Sequence, residues 1–331
     1  MTDVTHVTDT LTGPPAGPLL SIVMPTRDRC PILEKTLQRI EGSDEFSAAE
    51  LEIVVVDDGS RDGTASFLSK ARSRFPLRVA RSEGEGPAAA RNRGVRMATG
   101  SRILLLGDDT PPRAGTLREH ASPPAPDVGI QGLIEWDPEV PVSGVMSFLA
   151  PEGPQFYFKG LRHGLRIPFT AVLASNLSAP ASWFREDPFD ERFRDAAFED
   201  TELAFRWRRK KRAVLYSETA VCWHTHVYTT LEPFLARQRR AGRAVRYAVR
   251  RHPALFFRAV AQPLAVGAVF ALRHAALRAL RRASERSSWD LRVRGAFLRG
   301  LLSPAGTAAD PARGDAAAAL SPLPVPGEHR P

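Results

Sequence analysis

Three pairs of acidic residues carry the side chains best suited to chemistry. Asp57 and Asp58 close the run LEIVVVDDGS at 51–60, and Asp108 and Asp109 close ILLLGDDT at 103–110. Glu199 and Asp200 lie in FEDTEL at 198–203. Adjacent carboxylates at the end of an apolar run repel each other and are costly to desolvate unless a cation compensates. A divalent ion with hard oxygen ligands can bridge such carboxylates to phosphate oxygens and stabilise charge on a departing group. An Asp at the end of VVVDD can also accept hydrogen bonds from a base N–H or from ribose hydroxyls. A carboxylate near a helix start, as in FEDTEL, can take a proton from an acceptor hydroxyl. Together they describe in-line displacement of a diphosphate leaving group, with metal, nucleotide contacts and base on separate elements. A single Asp pair after a strand is more often a turn or a helix cap. Two such pairs together with Glu199-Asp200 reverse that balance.

The elements around these pairs explain how they could meet. LLSIVMPT (19–26), LEIVVVDDGS (51–60), LRVARSE (77–83) and ILLL (103–106) read as strands. Between them PILEKTLQRI (31–40), DGTASFLSKARSRF (62–75) and GPAAARNRGVRMA (86–98) have helical spacing, with Pro87 near a helix start. This alternation predicts an α/β fold with a mostly parallel central sheet and crossover helices. Ligands of such sheets bind beyond the carboxyl ends of the strands. Pro25-Thr26, Asp57-Asp58 and Asp108-Asp109 therefore converge on one rim. The Pro-rich stretch 111–175 is looser, with a strand predicted at 128–136. A helix is expected from near Asp200 through Arg209, and a strand at AVLYS.

The chain has 331 residues and a net charge of +9. That charge is concentrated: residues 206–302 carry 22 basic against 4 acidic side chains. Such asymmetry points to a separate binding role for the C-terminal third. Arg239, Arg243, Arg246 and Arg250 are spaced to form one helical stripe. Two cysteines, Cys30 and Cys222, exclude a disulfide framework and read as inert. Residues 1–17 have no signal-peptide pattern and are expected to be a disordered leader, and 303–331 a disordered tail. The apolar run PLAVGAVFAL at 263–272 falls short of the ~20 residues of a spanning helix. A cytoplasmic protein is expected.

Six segments in order carry a family resemblance: SIVMPTRDR, VVVDDGSRDGT, GPAAARNRG, LLLGDDT, SNLSAPASWFREDPFDERF and FEDTELAFRWRRKKRAVLYSETAVCWHTH. The chain resembles the inverting family-2 glycosyltransferases of the GT-A fold across residues 18–230, followed by a basic helical extension at 231–302. The resemblance implies sugar transfer from a nucleotide-diphosphate donor, most often UDP-linked, to an acceptor hydroxyl with Mg2+ or Mn2+. Cell-surface polysaccharide or glycoconjugate synthesis is the implied setting, with a glycan or lipid-linked glycan as acceptor. It puts Pro25, Thr26, Arg27, Asp57, Asp58 and Arg91 at the nucleotide. Asp109 falls on the metal ligand, with Asp108 between metal and ribose. Asp200 falls on the base, with Glu199 beside it. His224 falls near the diphosphate or metal, with His226 as fallback. Many relatives have an acid, a spacer and an acid at the metal motif, whereas this chain has Gly107-Asp108-Asp109.

Two other patterns compete. GEGPAA at 84–89 fits G-x-G-x-x-A between a strand and a helix, with Asp108 some twenty residues on, as in NAD-binding folds. It leaves Asp57-Asp58 and Glu199-Asp200 unexplained. The Arg stripe could instead track nucleic-acid phosphates, although no recognised nucleic-acid motif accompanies it. The mixture of apolar bulk and Arg at 254–280 favours a membrane surface over nucleic acid. A helical cap on the catalytic domain fits the same residues.

Overall fold

The computed structural model describes residues 17–156, 158–195, 197–279 and 284–303. The expected leader and tail lie, but for their innermost residues, outside that range. The N-terminal half runs β1 (Leu20–Thr26), α1 (Cys30–Glu41), β2 (Leu51–Asp57), α2 (Thr64–Lys70), β3 (Leu77–Arg81), α3 (Pro87–Met97) and β4 (Arg102–Leu106). Every residue of β2 and β4 is buried, as expected of strands covered on both faces. Then follow α4 (Thr116–Ala121), β5 (Val128–Trp136), α5 (Gly144–Leu149), β6 (Asn176–Pro180), α6 (Ala181–Glu186), α7 (Glu199–Arg209) and β7 (Ala213–His224). The C-terminal helices are α8 (Glu232–Arg251), α9 (Gln262–Ala279) and α10 (Glu285–Leu302).

The strands form one seven-stranded sheet in the order β3-β2-β1-β4-β6-β5-β7. It is mostly parallel, and β6 runs antiparallel to both β4 and β5. Chain order reverses around β1, which lies between β2 and β4, so the carboxyl ends of these three strands share one edge.

Two elements differ in length from expectation. Helix α2 stops at Lys70 instead of reaching residue 75. Beyond it the chain is drawn onto Glu41, which accepts hydrogen bonds from the Ser73 hydroxyl and, at 2.9 Å, from the Arg74 N–H. Strand β7 continues past AVLYS to His224. Its pairing with β5 shifts register, because Gly132 faces Ser217 while Leu133 faces Val221. The three residues 218–220 are accommodated by that irregularity, and pairing resumes as far as Trp136 opposite His224.

The basic helices pack onto the sheet domain. Val245, Ala248, Leu255, Ala259 and Leu301 are buried in the same cluster as Leu105 and Leu177 of the sheet. His252 Nε2 meets the buried Glu202 of α7 at 2.7 Å, and Tyr247 donates to Asp190 at 2.6 Å. Helices α8 and α10 approach closely where Gly242 faces the Phe297 carbonyl and Gly300 faces the Arg239 carbonyl. A Cβ at either glycine would overlap that backbone. Of the expected Arg stripe, Arg239, Arg243 and Arg246 are therefore half-buried and only Arg250 is exposed.

The expectation that no segment reaches spanning length is corrected. Pro253–Arg278 is a helical stretch of 26 residues, long and apolar enough by length and composition to cross a membrane. Helical turns on both sides of the 263–272 run extend it.

Candidate functional site

The strand ends bring the residues expected at the nucleotide together through hydrogen bonds. Thr26 donates to Asp108 Oδ2 at 2.8 Å, and the Asp58 N–H donates to the Thr26 carbonyl at 2.8 Å. Thr36 of α1 holds the Asp108 carbonyl at 2.6 Å. Pro25, next to Thr26, is half-buried opposite Val56 of β2. The two acidic pairs differ in what surrounds them. Asp57 accepts from the Ser60 N–H at 2.8 Å and from Arg81 at 3.1 Å. Asp58 accepts from the Ser82 hydroxyl and from the N–H groups of Glu85 and Gly86, all at 2.7–2.9 Å. Half-exposed Arg27 lies 3.9 Å from Asp58.

Those bonds to Asp58 count against dinucleotide binding at GEGPAA. The fingerprint needs free loop N–H groups to meet a pyrophosphate. Here Glu85 and Gly86 already donate to a protein carboxylate.

Asp108 and Asp109 have acquired a cation from the chain itself. Arg29, just before α1, places Nη1 2.9 Å from Asp108 Oδ1 and 2.8 Å from Asp109 Oδ2. Asp108 raises the guanidinium pKa further above its ordinary value, with Asp109 adding to the effect. Burial holds the Asp108 carboxyl above the usual range despite Arg29. Burial opposes ionisation of Asp109 too, but Arg29, then His224, His226 and Arg237, drive its pKa well below that range.

Glu199 and Asp200, expected on the acceptor side, sit at the first turn of α7. Phe198, at φ 73°, turns the chain into the helix, and Glu199, Asp200 and Glu202 fill the turn where the helix dipole favours acids. Glu199 pairs with Arg91 of α3 at 2.8 Å, both side chains nearly buried. Arg91 thus faces the acceptor-side helix. Asp200 accepts from the Thr201 N–H at 2.7 Å, and the Ala174 N–H approaches its other oxygen at 3.5 Å. Burial and the neighbouring Glu199 push Asp200 up to about 6, against the pull of Arg91.

The register shift in β7 delivers His224 to the rim. Its ring stacks on Trp136 at 5.3 Å between centroids, and Nε2 lies 2.9 Å from the Gln155 amide nitrogen. Nδ1 is 3.8 Å from Asp109 Oδ2, and the Thr225 N–H donates to the Asp109 carbonyl at 3.0 Å. Burial lowers the His224 pKa, and it holds His226, stacked on the same ring, to about 4. Cys222 is buried with its thiol pKa pushed up, and burial raises Cys30 as well.

Sequence reasoning missed Arg29, Gln155 and Arg237. Arg237 of α8 lowers the pKa of both Asp109 and Asp200, and it hydrogen-bonds Tyr228. One guanidinium thus acts on the donor-side rim and the acceptor-side helix together. The local signal for Arg29 was present in PTRDR, but nothing in the sequence paired it with residues some eighty positions away.

The oxygen donors suit a hard divalent ion as a partial ligand set. Such ions bind through one or two carboxylates and complete their shell with substrate phosphates and water. Among the described residues no three His, Cys, Asp or Glu side chains are grouped as a ready-made site. Arg29 on Asp108 and Asp109 would have to yield to the ion.

Residues 21–123 match the family model described as Glycosyl transferase family 2. Validoxylamine A glucosyltransferase of Streptomyces hygroscopicus subsp. jinggangensis is 29% identical over 218 residues, 57% of this chain and 51% of that protein. GalNAc(5)-diNAcBac-PP-undecaprenol beta-1,3-glucosyltransferase of Campylobacter jejuni is 34% identical over 103 residues, 30% of this chain and 32% of that one. The chain spans about half the length, or less, of these curated relatives. Mannosyltransferase PcManGT from Pyrobaculum calidifontis, solved with GDP-Man and Mn2+, superposes with a TM-score of 0.63 at 19% identity, covering 86% of both chains. At that identity the likeness shows a shared GT-A fold. The matched segment is therefore similar to glycosyl transferase family 2, and the sheet around it has the fold of such enzymes.

Proposed function

We propose that the chain transfers a sugar from a nucleotide-diphosphate donor, a UDP-sugar first among candidates, to an acceptor hydroxyl with inversion at the sugar carbon. The observation that carries this is the match of residues 21–123 to the glycosyl transferase family 2 model, together with the hydrogen bonds that gather Thr26, Asp58 and Asp108 at one rim. Pro25, Thr26, Asp57 and Asp58 form the nucleotide wall, with Arg27 beside it. Asp57 keeps lone pairs for a base or ribose beyond those used by Ser60 and Arg81. Asp108 and Asp109 would hold Mg2+ or Mn2+, with His224 alongside, and the ion when bound offsets charge on the departing diphosphate. Asp200, with a pKa near neutrality, takes the proton from the acceptor hydroxyl. Glu199 and Arg91 position it.

The acceptor is a glycan or lipid-linked glycan of a cell-surface polymer or glycoconjugate, supported by the lipid-linked substrate in the name of the Campylobacter relative. The exposed apolar surface of α9 and the basic character of 231–302 favour work at the inner face of the cell membrane.

The test is nucleotide release from a panel of UDP-, GDP- and dTDP-sugars with Mn2+, with Mg2+ and with chelator. Release from one donor class that stops in chelator is expected. Undiminished release in chelator would remove the metal from the mechanism, and tight NADH binding without nucleotide-sugar binding would overturn the function.

A further inference from the structure

We propose that a cavity beside α7, outside the nucleotide cleft, binds the phosphate group of an anionic membrane lipid. The cavity has a volume of about 210 Å³ and is ringed by Arg166, Arg208, Arg212 and Arg258 over a floor that includes Phe169 and Trp207. Of the four guanidinium groups, Arg212 is neutralised by Glu186 and, at 2.6 Å, by Asp187. The other three have no carboxylate partner among the described residues. Arg166 donates to the Arg212 carbonyl at 3.0 Å, Arg208 lies over the Phe169 ring at 5.5 Å, and Arg258 meets the Gln262 amide at 3.4 Å. Three cations around one hollow repel each other, and a phosphate relieves that repulsion through the forked geometry of guanidinium. The buried Trp207 indole N–H also has no acceptor among the described residues.

The surroundings identify the phosphate as a lipid's. Arg258 follows Phe256 and Phe257, whose side chains are 54% and 69% exposed. Beyond it α9 exposes Leu264, Val269 and Leu272. A basic hollow at the start of an exposed apolar helix matches an amphiphile with an anionic head and apolar tails. Ala204, Trp207 and Arg208 lie one to two turns along α7 from Asp200, so an occupied cavity would also hold the acceptor-side helix against the bilayer. This proposal rests on the membrane association proposed above.

The experiment is co-sedimentation of the full chain with phosphatidylcholine vesicles, with and without phosphatidic acid. Phosphatidic acid is expected to strengthen binding. The exposed pair Arg166→Ala/Arg208→Ala is expected to weaken binding to those vesicles about tenfold or more, at roughly fivefold per arginine near an anionic surface. Arg258→Glu should do the same. In both variants phosphatidylcholine binding and UDP binding should be unchanged. Lys70→Ala/Arg72→Ala, which removes equal charge elsewhere, should bind as wild type does. Equal loss in that control, or no loss in the cavity variants, overturns the cavity while leaving membrane association intact. Absence of vesicle binding by wild type overturns both. Titration with inorganic phosphate is the last arm: tight binding lost in the cavity variants without any vesicle effect would assign the anion to a soluble source and overturn the lipid.

Discussion

Two buried aspartates are driven in opposite directions. At the end of β4, Asp109 is buried yet strongly acidic, because Arg29 contacts it at 2.8 Å and Arg237 adds to the positive field. On the acceptor side, Asp200 is also buried, but Glu199 stands beside it and Arg91 contacts Glu199 rather than Asp200. Its carboxyl rises to about 6. The carboxyl proposed to stay an anion lies against a guanidinium, and the one proposed to accept a proton near neutral pH has another carboxyl as its neighbour. Paired carboxylates whose environments separate their pKa values are how one site divides roles between chemically identical side chains. In the proposed reaction the strand-end rim would hold charge and the first turn of α7 would exchange it.

The largest expected effect breaks the contrast on the acceptor side. Asp200→Asn should lower transfer by about 10²–10⁴-fold, the range of general-base catalysis, and leave UDP binding by calorimetry unchanged. Full turnover by that variant would remove Asp200 from its role. On the donor side, Asp109→Ala should differ in kind, weakening UDP binding about tenfold or more in Mn2+ and little in chelator.

A smaller effect follows at Arg29. Removing it leaves two adjacent carboxylates without their cation, a change that costs 3–5 kcal/mol when such a pair is fully buried. The Arg29 side chain is 30% exposed, so a loss of about 1–3 kcal/mol is expected for Arg29→Ala, read from urea unfolding. Mn2+ should raise the melting temperature of Arg29→Ala more than that of wild type, because the ion then meets no competing guanidinium. An equal Mn2+ shift in both proteins would show that Arg29 does not share the ion's place.

The smallest effect is in pH dependence. Asp200 must be ionised to accept a proton, so kcat should rise with pH up to about 6 and flatten above it. In stability the sign is opposite. The folded-state pKa of Asp200 lies above its ordinary 3.8, so the folded protein binds more protons between about 4 and 6. The Asp200 contribution to stability is therefore lost as pH rises through that window. Asp200→Asn should remove that fall, and an unchanged stability profile would contradict the raised pKa.

Much of the donor half was legible from residue order. Uniformly apolar runs ending in Asp have few solutions other than buried parallel strands, and a parallel sheet places such ends on one rim. The strand ends at Thr26 and Asp57 and the helix start at Glu199 lie within a residue or two of their sequence signals. Elements whose limits depend on distant partners were not legible. Glu41 draws the chain out of α2, and the β5 ladder carries β7 to His224. The C-terminal helices read as a separate basic extension because composition reports charge but not its neighbours. Close glycine contacts between α8 and α10 half-bury Arg239, Arg243 and Arg246, and the charge of Arg237 is felt at Asp109 and Asp200.

The sequence by itself determined the alternating α/β order and which acidic pairs reach the strand ends, because these follow from local periodicity and chain direction. Only the tertiary structure decided that Arg29 neutralises Asp108 and Asp109, that Arg91 contacts Glu199, and that Asp200 is left to titrate near neutral pH. A carboxylate's ionisation depends on the charges and solvent within a few ångströms of it, and those neighbours come from positions far apart in the chain.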